Sequence, residues 1–296
     1  MGESTQDARP GRALELSDPD VWVVEPRNVG LVAQARDVWR YRYLFRFFAA
    51  RALRKRYART ILGIGWLFIR PLFPVLIGTL VFGGVLGVQA DVPFFLFLMV
   101  SMAHWRAFGS SLMWSTRSIE INRGMVKKLY FPRIILPIAT MSPGLMDLIV
   151  YLLTIFVAAI YYQVTSGVWY LQMPPRLLWA VLSLVLTLWF ALSLGLFTSI
   201  LGAQTRDMRW SLRYIMNGWM LLTPVMYPVT MIPEQWRWML ALNPMVAFIE
   251  AFKFGMIGSG GVDLSGLAIA SGLTAALFCV GLWFFNRAEA TSADRL

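Results

Sequence analysis

The sequence predicts an all-α integral membrane protein with six transmembrane helices, an N-terminal amphipathic interface helix, and re-entrant outer helices between the fifth and sixth spans. Three observations lead there. Of 296 residues, 58% are hydrophobic and only 15% are charged, too little charge to cover a soluble domain of this size. Apolar runs of about 20 residues, the length that crosses a hydrocarbon core ~30 Å thick, recur along the chain. The Lys and Arg behind the net charge of +11 cluster at the ends of those runs, where topology signals sit, and do not form a nucleic-acid patch.

Residues 1–30 form a polar extension without an apolar core, so no cleavable signal peptide is expected and the N-terminus is expected to stay in the cytosol. Residues 31–60 are assigned to the interface helix. Over 37–60, Arg and Lys alternate with Trp, Tyr, Phe and Leu, and Trp39, Tyr43, Phe47, Ala50 and Leu53 or Arg54 fall at helical steps. Such a helix lies in the interface with its basic residues near anionic headgroups. Whether it only anchors the chain or also docks at the cytosolic mouth stays open at this point.

The membrane domain is expected over 61–286. Its first run, 61–88, and its second, 92–116, are joined by a few residues around Gln89 and Asp91, so the two must be antiparallel neighbours. The third, 134–164, and the fourth, 177–203, exceed the length required and should tilt or kink, with Pro137 and Pro143 as kink sites in the third. The fifth begins near Trp210 and soon meets Pro224 and Pro228, and the last covers 264–285. Between them an apolar segment is broken by Pro224, Pro228, Pro233 and Pro244. Each Pro removes a backbone donor, so two short helices dipping in and out at the outer face are predicted. A cytosolic tail, 287–296, follows.

Orientation comes from the cations. Residues 1–60 hold twelve Lys and Arg; the loop after the second span holds Arg117, Arg123, Lys127, Lys128 and Arg133; the loop after the fourth holds Arg206, Arg209 and Arg213; the tail holds Arg287 and Arg295. The opposite side holds Arg176, Arg237 and Lys253. Both termini are therefore expected in the cytosol.

The chain lacks G-x-x-x-x-G-K-[ST], HExxH and G-x-S-x-G, so a P-loop, a zincin site and a nucleophile elbow are excluded. One cysteine, Cys279, lies inside the last apolar run and permits neither an intrachain disulfide nor a cysteine metal cluster. The sole histidine, His104, stands beside Trp105 in the second span, where a structural hydrogen bond competes with a catalytic role. Asp147 lies within the third span and Glu250 in the Pro-broken segment. An intramembrane carboxylate is a candidate functional group. Asp147 reads either as a proton relay or as the packing partner of a buried cation such as Arg70 or Arg106. With no nucleotide site and one isolated carboxylate, the chain is expected to draw its energy from elsewhere.

Four stretches then carry a resemblance: RYARTILGIGWLFIRPLFPVLIGTLVF, WRAFGSSLMWSTRSIEINRGMVKKLYFPRIILPIA, LGAQTRDMRW and LLTPVMYPVTMIPEQWRWMLALNPMVAFIEAFK. In this order they resemble the permeases of ABC-2 type polysaccharide and polyol-phosphate exporters, over about residues 45–290. The chain departs from that pattern at Arg51-Ala52-Leu53-Arg54, where the family often carries an acidic residue, and in its polar extension. The resemblance implies a homodimer driven by two copies of a cytosolic ATPase. ATP and magnesium would sit on that partner, with no cofactor, metal or catalytic residue in this chain. The substrate implied is a lipid-linked glycan, O-antigen-like, and the location the bacterial cytoplasmic (inner) membrane.

The resemblance also maps an ATPase-coupling helix onto Asn122 through Arg133. Met125, Leu129, Tyr130 and Phe131 would supply an apolar knob. Arg123, Lys127, Lys128 and Arg133 would meet acidic rims or headgroups, and Pro132 would end the helix. Arg206 and Asp207 offer a second contact, or a local pair. A sugar chain needs a path lined by rings, for which Trp66, Trp105, Phe108, Trp114, Tyr151 and Trp219 are candidates. Tyr227, Met231, Trp236, Asn243 and Pro244 are candidates for the outer gate. Two other classes remain as alternatives, a membrane-embedded transferase acting on lipid-linked sugars and an ion-coupled transporter using Asp147.

Overall fold

The computed structural model describes Arg36, residues 38–57, 65–126, Lys128 and residues 131–292, with backbone alone at 66, 67 and 289–292. Among the described residues all regular structure is helical. Helix α1 (Arg42–Tyr57) precedes the membrane domain. α2 (Gly65–Gly78) contains Pro71 and Pro74 and passes directly into a π-helical turn, Thr79–Val85.

α3 (Phe94–Thr116) is the central helix of the bundle. After it come two single-turn helices, α4 (Ser118–Ile121) and α5 (Arg123–Val126), and then α6 (Ile135–Ala139). α7 (Ser142–Ser166) and α8 (Leu177–Gln204) both pack along α3. They approach it through small residues: a Cβ at Gly144 would overlap Ser111, and one at Gly195 would overlap Ser115. Such contacts carry helix association where lipid is as apolar as any side chain. α9 (Arg206–Leu222) leads to two 3₁₀ turns and α10 (Arg237–Ala241), and then to α11 (Pro244–Ile257) and α12 (Leu264–Ser292), which both pack on α8.

Among the described residues, four helical segments are long and apolar enough to cross a membrane: Phe68–Val85, Ile135–Ser166, Leu177–Gln204 and Leu264–Ala288. A fifth is added if the pair Glu234–Ala241 and Pro244–Ile257, bent by 100°, counts as one span. This is a multi-pass membrane protein, but six crossings do not follow from length and apolarity. Two expected spans fall short, for different reasons. α3, at 23 residues, is about 34 Å long, but Ser101, His104, Arg106, Ser110 and Ser111 dilute it. Sixteen of those 23 residues are buried, so most of its surface meets protein and has no need to be lipid-compatible. α9 has 17 residues, and its first half carries Arg206, Asp207, Arg209 and Arg213. The third span breaks near its prolines: Pro137 lies in α6, Pro143 lies in the first turn of α7, and Thr140 and Met141 separate the two helices.

The core has two parts. The larger surrounds α3 and includes Phe108, Phe190, Phe248 and Phe252. The smaller joins Phe48 of α1, Ile119 of α4, Phe131, Ile135 and Leu136 to the ends of α8 and α12 through Leu196, Ile200, Leu282 and Phe285. This second core binds α1 to the segment between α3 and α7.

Candidate coupling face and outer gate

α1 owes its position to a row of residues four apart. Leu44, Phe48, Ala52 and Arg56 share one face; Phe48 and Ala52 are 0% and 1% exposed. Trp39 and Tyr43, read from sequence as the apolar stripe, are exposed on another side. The helix thus has two apolar faces, and the sequence pattern revealed only the outward one. Two polar ties supplement the packing. The Arg51 guanidinium donates to Met125 Sδ at 2.8 Å, and Lys55 Nζ donates to the Ile121 carbonyl at 3.0 Å. Partial burial holds the Lys55 ammonium below the usual lysine range, and the positive Arg51 and Arg117 add to the effect.

Among the described residues of the segment expected to form a coupling helix, the single turn of α5 is helical. Asn122 is 1% exposed, and its Nδ2 donates to the Ser118 carbonyl at 2.8 Å. Arg123 and Lys128 are exposed, while Met125, Pro132 and Arg133 are half-buried. Lys127, Leu129 and Tyr130 lie outside the described residues. Phe131 corrects the expectation of an outward apolar knob: it is buried, with its ring centroid 5.3 Å from that of Phe48. It turns inward because Phe48, presented by α1, needs an apolar partner there. Arg206 and Asp207 are exposed in the first turn of α9. One turn on, Arg209 donates to the Gly202 carbonyl at 2.9 Å and pairs with Glu120 at 2.9 Å. Glu120 also faces Arg117 at 3.5 Å. Sequence reasoning passed over Glu120, although it is the only acid between Arg117 and Arg133, and that was the available signal.

Asp147 is engaged by a cation that the sequence did not single out, and it shares a small pocket with both Arg70 and Arg106. Arg56 at the end of α1 donates to both carboxylate oxygens, at 2.7 and 2.5 Å, and to Ser110 Oγ at 2.6 Å. The four-residue row of α1 is what carries Arg56 to α7. His104, wholly buried, shares a 2.7 Å hydrogen bond with Thr187 of α8, and its ring lies 4.6 Å from that of Phe252. Its place is in helix packing.

Three of the candidate path rings form one cluster. Trp219 meets Phe108 at 5.4 Å and Trp105 at 6.2 Å, and Phe108 stacks on Phe190 at 5.5 Å. Phe108 and Trp105 are 0% and 4% exposed, so within one protomer they belong to the interior. Tyr151 is likewise buried, Trp114 is half-buried, and the side chain of Trp66 lies outside the described residues. The cluster continues outward, because the Trp219 indole donates to Asn243 Oδ1 at 3.1 Å. Asn243 caps α11 by accepting from the Met245 N–H at 3.1 Å, and donates to Thr223 Oγ1 at 2.9 Å. Pro244 occupies the first turn of α11, where its missing donor costs nothing. Tyr227 donates to the Leu221 carbonyl at 2.8 Å, and Met231 and Trp236 are exposed. Behind these elements lies a cavity of about 570 Å³ whose lining includes Asp91, Glu250, Lys253 and Asp263. The Ser265 hydroxyl and backbone N–H groups of the first α12 turn hold the Asp263 carboxyl below the usual range.

A family model described as ABC-2 type transporter matches residues 43–257. The chain is similar to the O-antigen export system permease protein RfbA of Myxococcus xanthus, 28% identical over 228 residues covering 75% of this chain and 84% of that protein. It is similar to the RfbA of Klebsiella pneumoniae, 28% identical over 251 residues (82% and 91%). It is also similar to the polysialic acid transport protein KpsM of Escherichia coli, 26% identical over 251 residues (81% and 91%).

Proposed function

This chain belongs to the ABC-2 type transporter family, and on that premise we propose that it is the transmembrane subunit of an ATP-driven exporter of a lipid-linked, O-antigen-like polysaccharide. It acts as a homodimer in the bacterial cytoplasmic membrane, with two copies of a cytosolic ATPase that carry the ATP and magnesium. Each copy crosses six times with both termini in the cytosol. α3 and α9 complete the count, α1 lies at the inner interface, and α10 with α11 form a re-entrant outer gate.

One observation carries this reading: similarity to export-system permeases over about four-fifths of the chain. The positive-inside distribution and the 100° bend between the two outer helices agree with it. In this reading α5, the residues through Arg133 and the first turn of α9 meet the ATPase. The glycan passes where the protomers meet, with Trp219 and Asn243 linking path to gate.

The test is co-purification with a soluble P-loop ATPase. Wild-type chain should retain the ATPase and stimulate it, whereas the double substitution Leu129→Ala/Tyr130→Ala should weaken association about tenfold or more without reducing membrane insertion. Unchanged association and export in the double variant would remove the coupling assignment. Solute movement by the purified chain without any ATPase would overturn the exporter reading.

A further inference from the structure

The cavity of about 570 Å³ behind the Pro-broken segment is walled by the turn before α3, the first turn of α3, α10, α11, and the loop after α11 with the start of α12. Its size falls in the range of about 300–1,000 Å³ typical of small-molecule sites. We propose that this cavity is a saccharide site, one that takes uncharged sugar units and turns away acidic ones.

Charge sets the selectivity. Asp91, Glu250 and Asp263 line the space together with Arg237 and Lys253, three carboxylates against two cations and a net charge of −1. Both cations are already engaged. Lys253, 1% exposed, pairs with Glu250 and stands 4.6 Å from the centre of the Phe97 ring, and Arg237 faces Glu234, outside the lining, at 3.5 Å. That leaves Asp91 and Asp263, both exposed, as the charge a ligand meets, and their field opposes a second anion. Asp91 accepts from Ser259 Oγ at 3.4 Å, and Asp263 Oδ1 accepts from the hydroxyl and the N–H of Ser265. A carboxylate has about four acceptor sites, so each keeps capacity for a hydroxyl donor.

The surface fits a sugar as well. A sugar unit carries hydroxyls at its edges and C–H groups on its faces, so it needs scattered polar groups set among aliphatic surface. The cavity supplies Gln89 and Thr230 beside the carboxylates, and Val246, Ala247 and Ala270 among them. Backbone forms part of the wall: Gly260 has φ +76 and lies so near Glu250 that a Cβ would stand 2.9 Å from Oε2, so glycine is required there by conformation and by close approach. Its neighbour Gly261 is exposed, and a Cβ there would meet nothing within 4 Å, which leaves the mouth open. Other ligand classes fit less well. Among the described residues no group of three His, Cys, Asp or Glu is placed to hold a metal ion. Phe97, the ring in the lining, is 1% exposed beneath the Lys253 ammonium, so a flat aromatic ligand has nothing to stack on.

That the sugar belongs to an exported glycan rests on the exporter reading, whereas saccharide binding does not. The test uses the full chain purified without ATPase in a polyoxyethylene detergent, which carries no sugar. It is titrated with mannotriose, galactotriose, chitotriose, trigalacturonate or octyl glucoside and read by saturation-transfer NMR. At least one uncharged sugar should bind, and trigalacturonate should bind about tenfold more weakly or worse, a gap that narrows in high salt because it is electrostatic. Asp91→Asn/Asp263→Asn keeps the shape of the wall and the turn that starts α12. In it the uncharged sugar should lose about tenfold, since a bond to a carboxylate outweighs one to an amide, and trigalacturonate should gain affinity until the two bind alike. A misfolded variant cannot gain a ligand. Arg213→Gln, on an exposed arginine of α9, should bind as wild type. Tighter binding of a trisaccharide than of octyl glucoside assigns the cavity to a glycan chain, and the reverse order assigns it to a glycolipid headgroup; either supports a saccharide site. Binding of none of the uncharged sugars overturns it, as does trigalacturonate bound as tightly as they are by wild type, a discrimination unmoved by salt, or a correctly eluting double-Asn variant that binds both as wild type does. Since no ATPase is present, failure here leaves the exporter reading standing, and loss of ATPase association leaves this site standing.

Discussion

Two ion pairs sit near opposite ends of the bundle, and they are built differently. Arg56–Asp147 joins α1 to α7 across 91 residues of sequence, with the two side chains 16% and 18% exposed. Lys253–Glu250 lies within α11 at i,i+3, with Lys253 1% exposed and its ammonium 4.6 Å from the Phe97 ring centre. The first is a tertiary tether; the second is local, and its carboxylate also faces the outer cavity. Breaking the first undocks an element, while breaking the second leaves α11 in place. The cations differ too, since an ammonium can discharge by losing a proton and a guanidinium cannot.

The largest expected effect follows from that contrast. Asp147→Ala leaves a guanidinium without its carboxylate beside the docked face of α1, a defect of about 3–5 kcal/mol. The unfolding midpoint of the purified protein in detergent should fall accordingly, and protease access to α1 should rise. The charge swap Arg56→Asp/Asp147→Arg should recover part of the loss. An Asp147→Ala protein as stable as wild type would show that the packing of Phe48 and the ties from Arg51 and Lys55 hold α1 without the ion pair. Glu250→Gln should cost less, about 1–3 kcal/mol, because the Phe97 ring still faces the ammonium and α11 stays packed on α8. Protease access to α1 should not change in that variant, and equal losses in the two variants would dissolve the distinction.

The two regions also differed in how well they could be read from sequence. The prolines at 137 and 143 announced the break between α6 and α7 because a missing donor acts locally. The Pro-broken outer segment was foreseen as short helices on the same ground, and two helices at 100° are found there. The docked face of α1 was not foreseen. Phe48 joins a core whose other buried residues all lie more than 70 positions away, and a helix with two apolar faces has a blurred period. Arg70 and Arg106 were proposed for Asp147 because both lie within expected spans; Arg56 was passed over because it lies in the arm before them. Phe131 pointed inward for the same reason that Phe48 was missed, each ring being the other's partner. α3 fell short on apolarity because centrality in a bundle, which no local window records, removed the need for a lipid-facing surface.

The smallest effect sharpens the comparison from a third pair. Glu120 bridges the segment after α3 to Arg209 on α9, but its side chain is 36% exposed, so Glu120→Gln should change stability by less than about 1 kcal/mol. Its weight is in connection, because Arg209 also donates to the Gly202 carbonyl and thereby ties α4 to the junction of α8 and α9. If, as the exporter reading proposes, both segments move together against an ATPase, Glu120→Gln should lower ATP-dependent export severalfold at unchanged protein level and unfolding midpoint. Arg209→Gln should do the same, and the double variant should add nothing, as expected of two groups acting through one contact. Additive losses in the double variant would mean that the segments act separately. The ion pair would then be an ordinary surface contact, unlike the tether at Asp147.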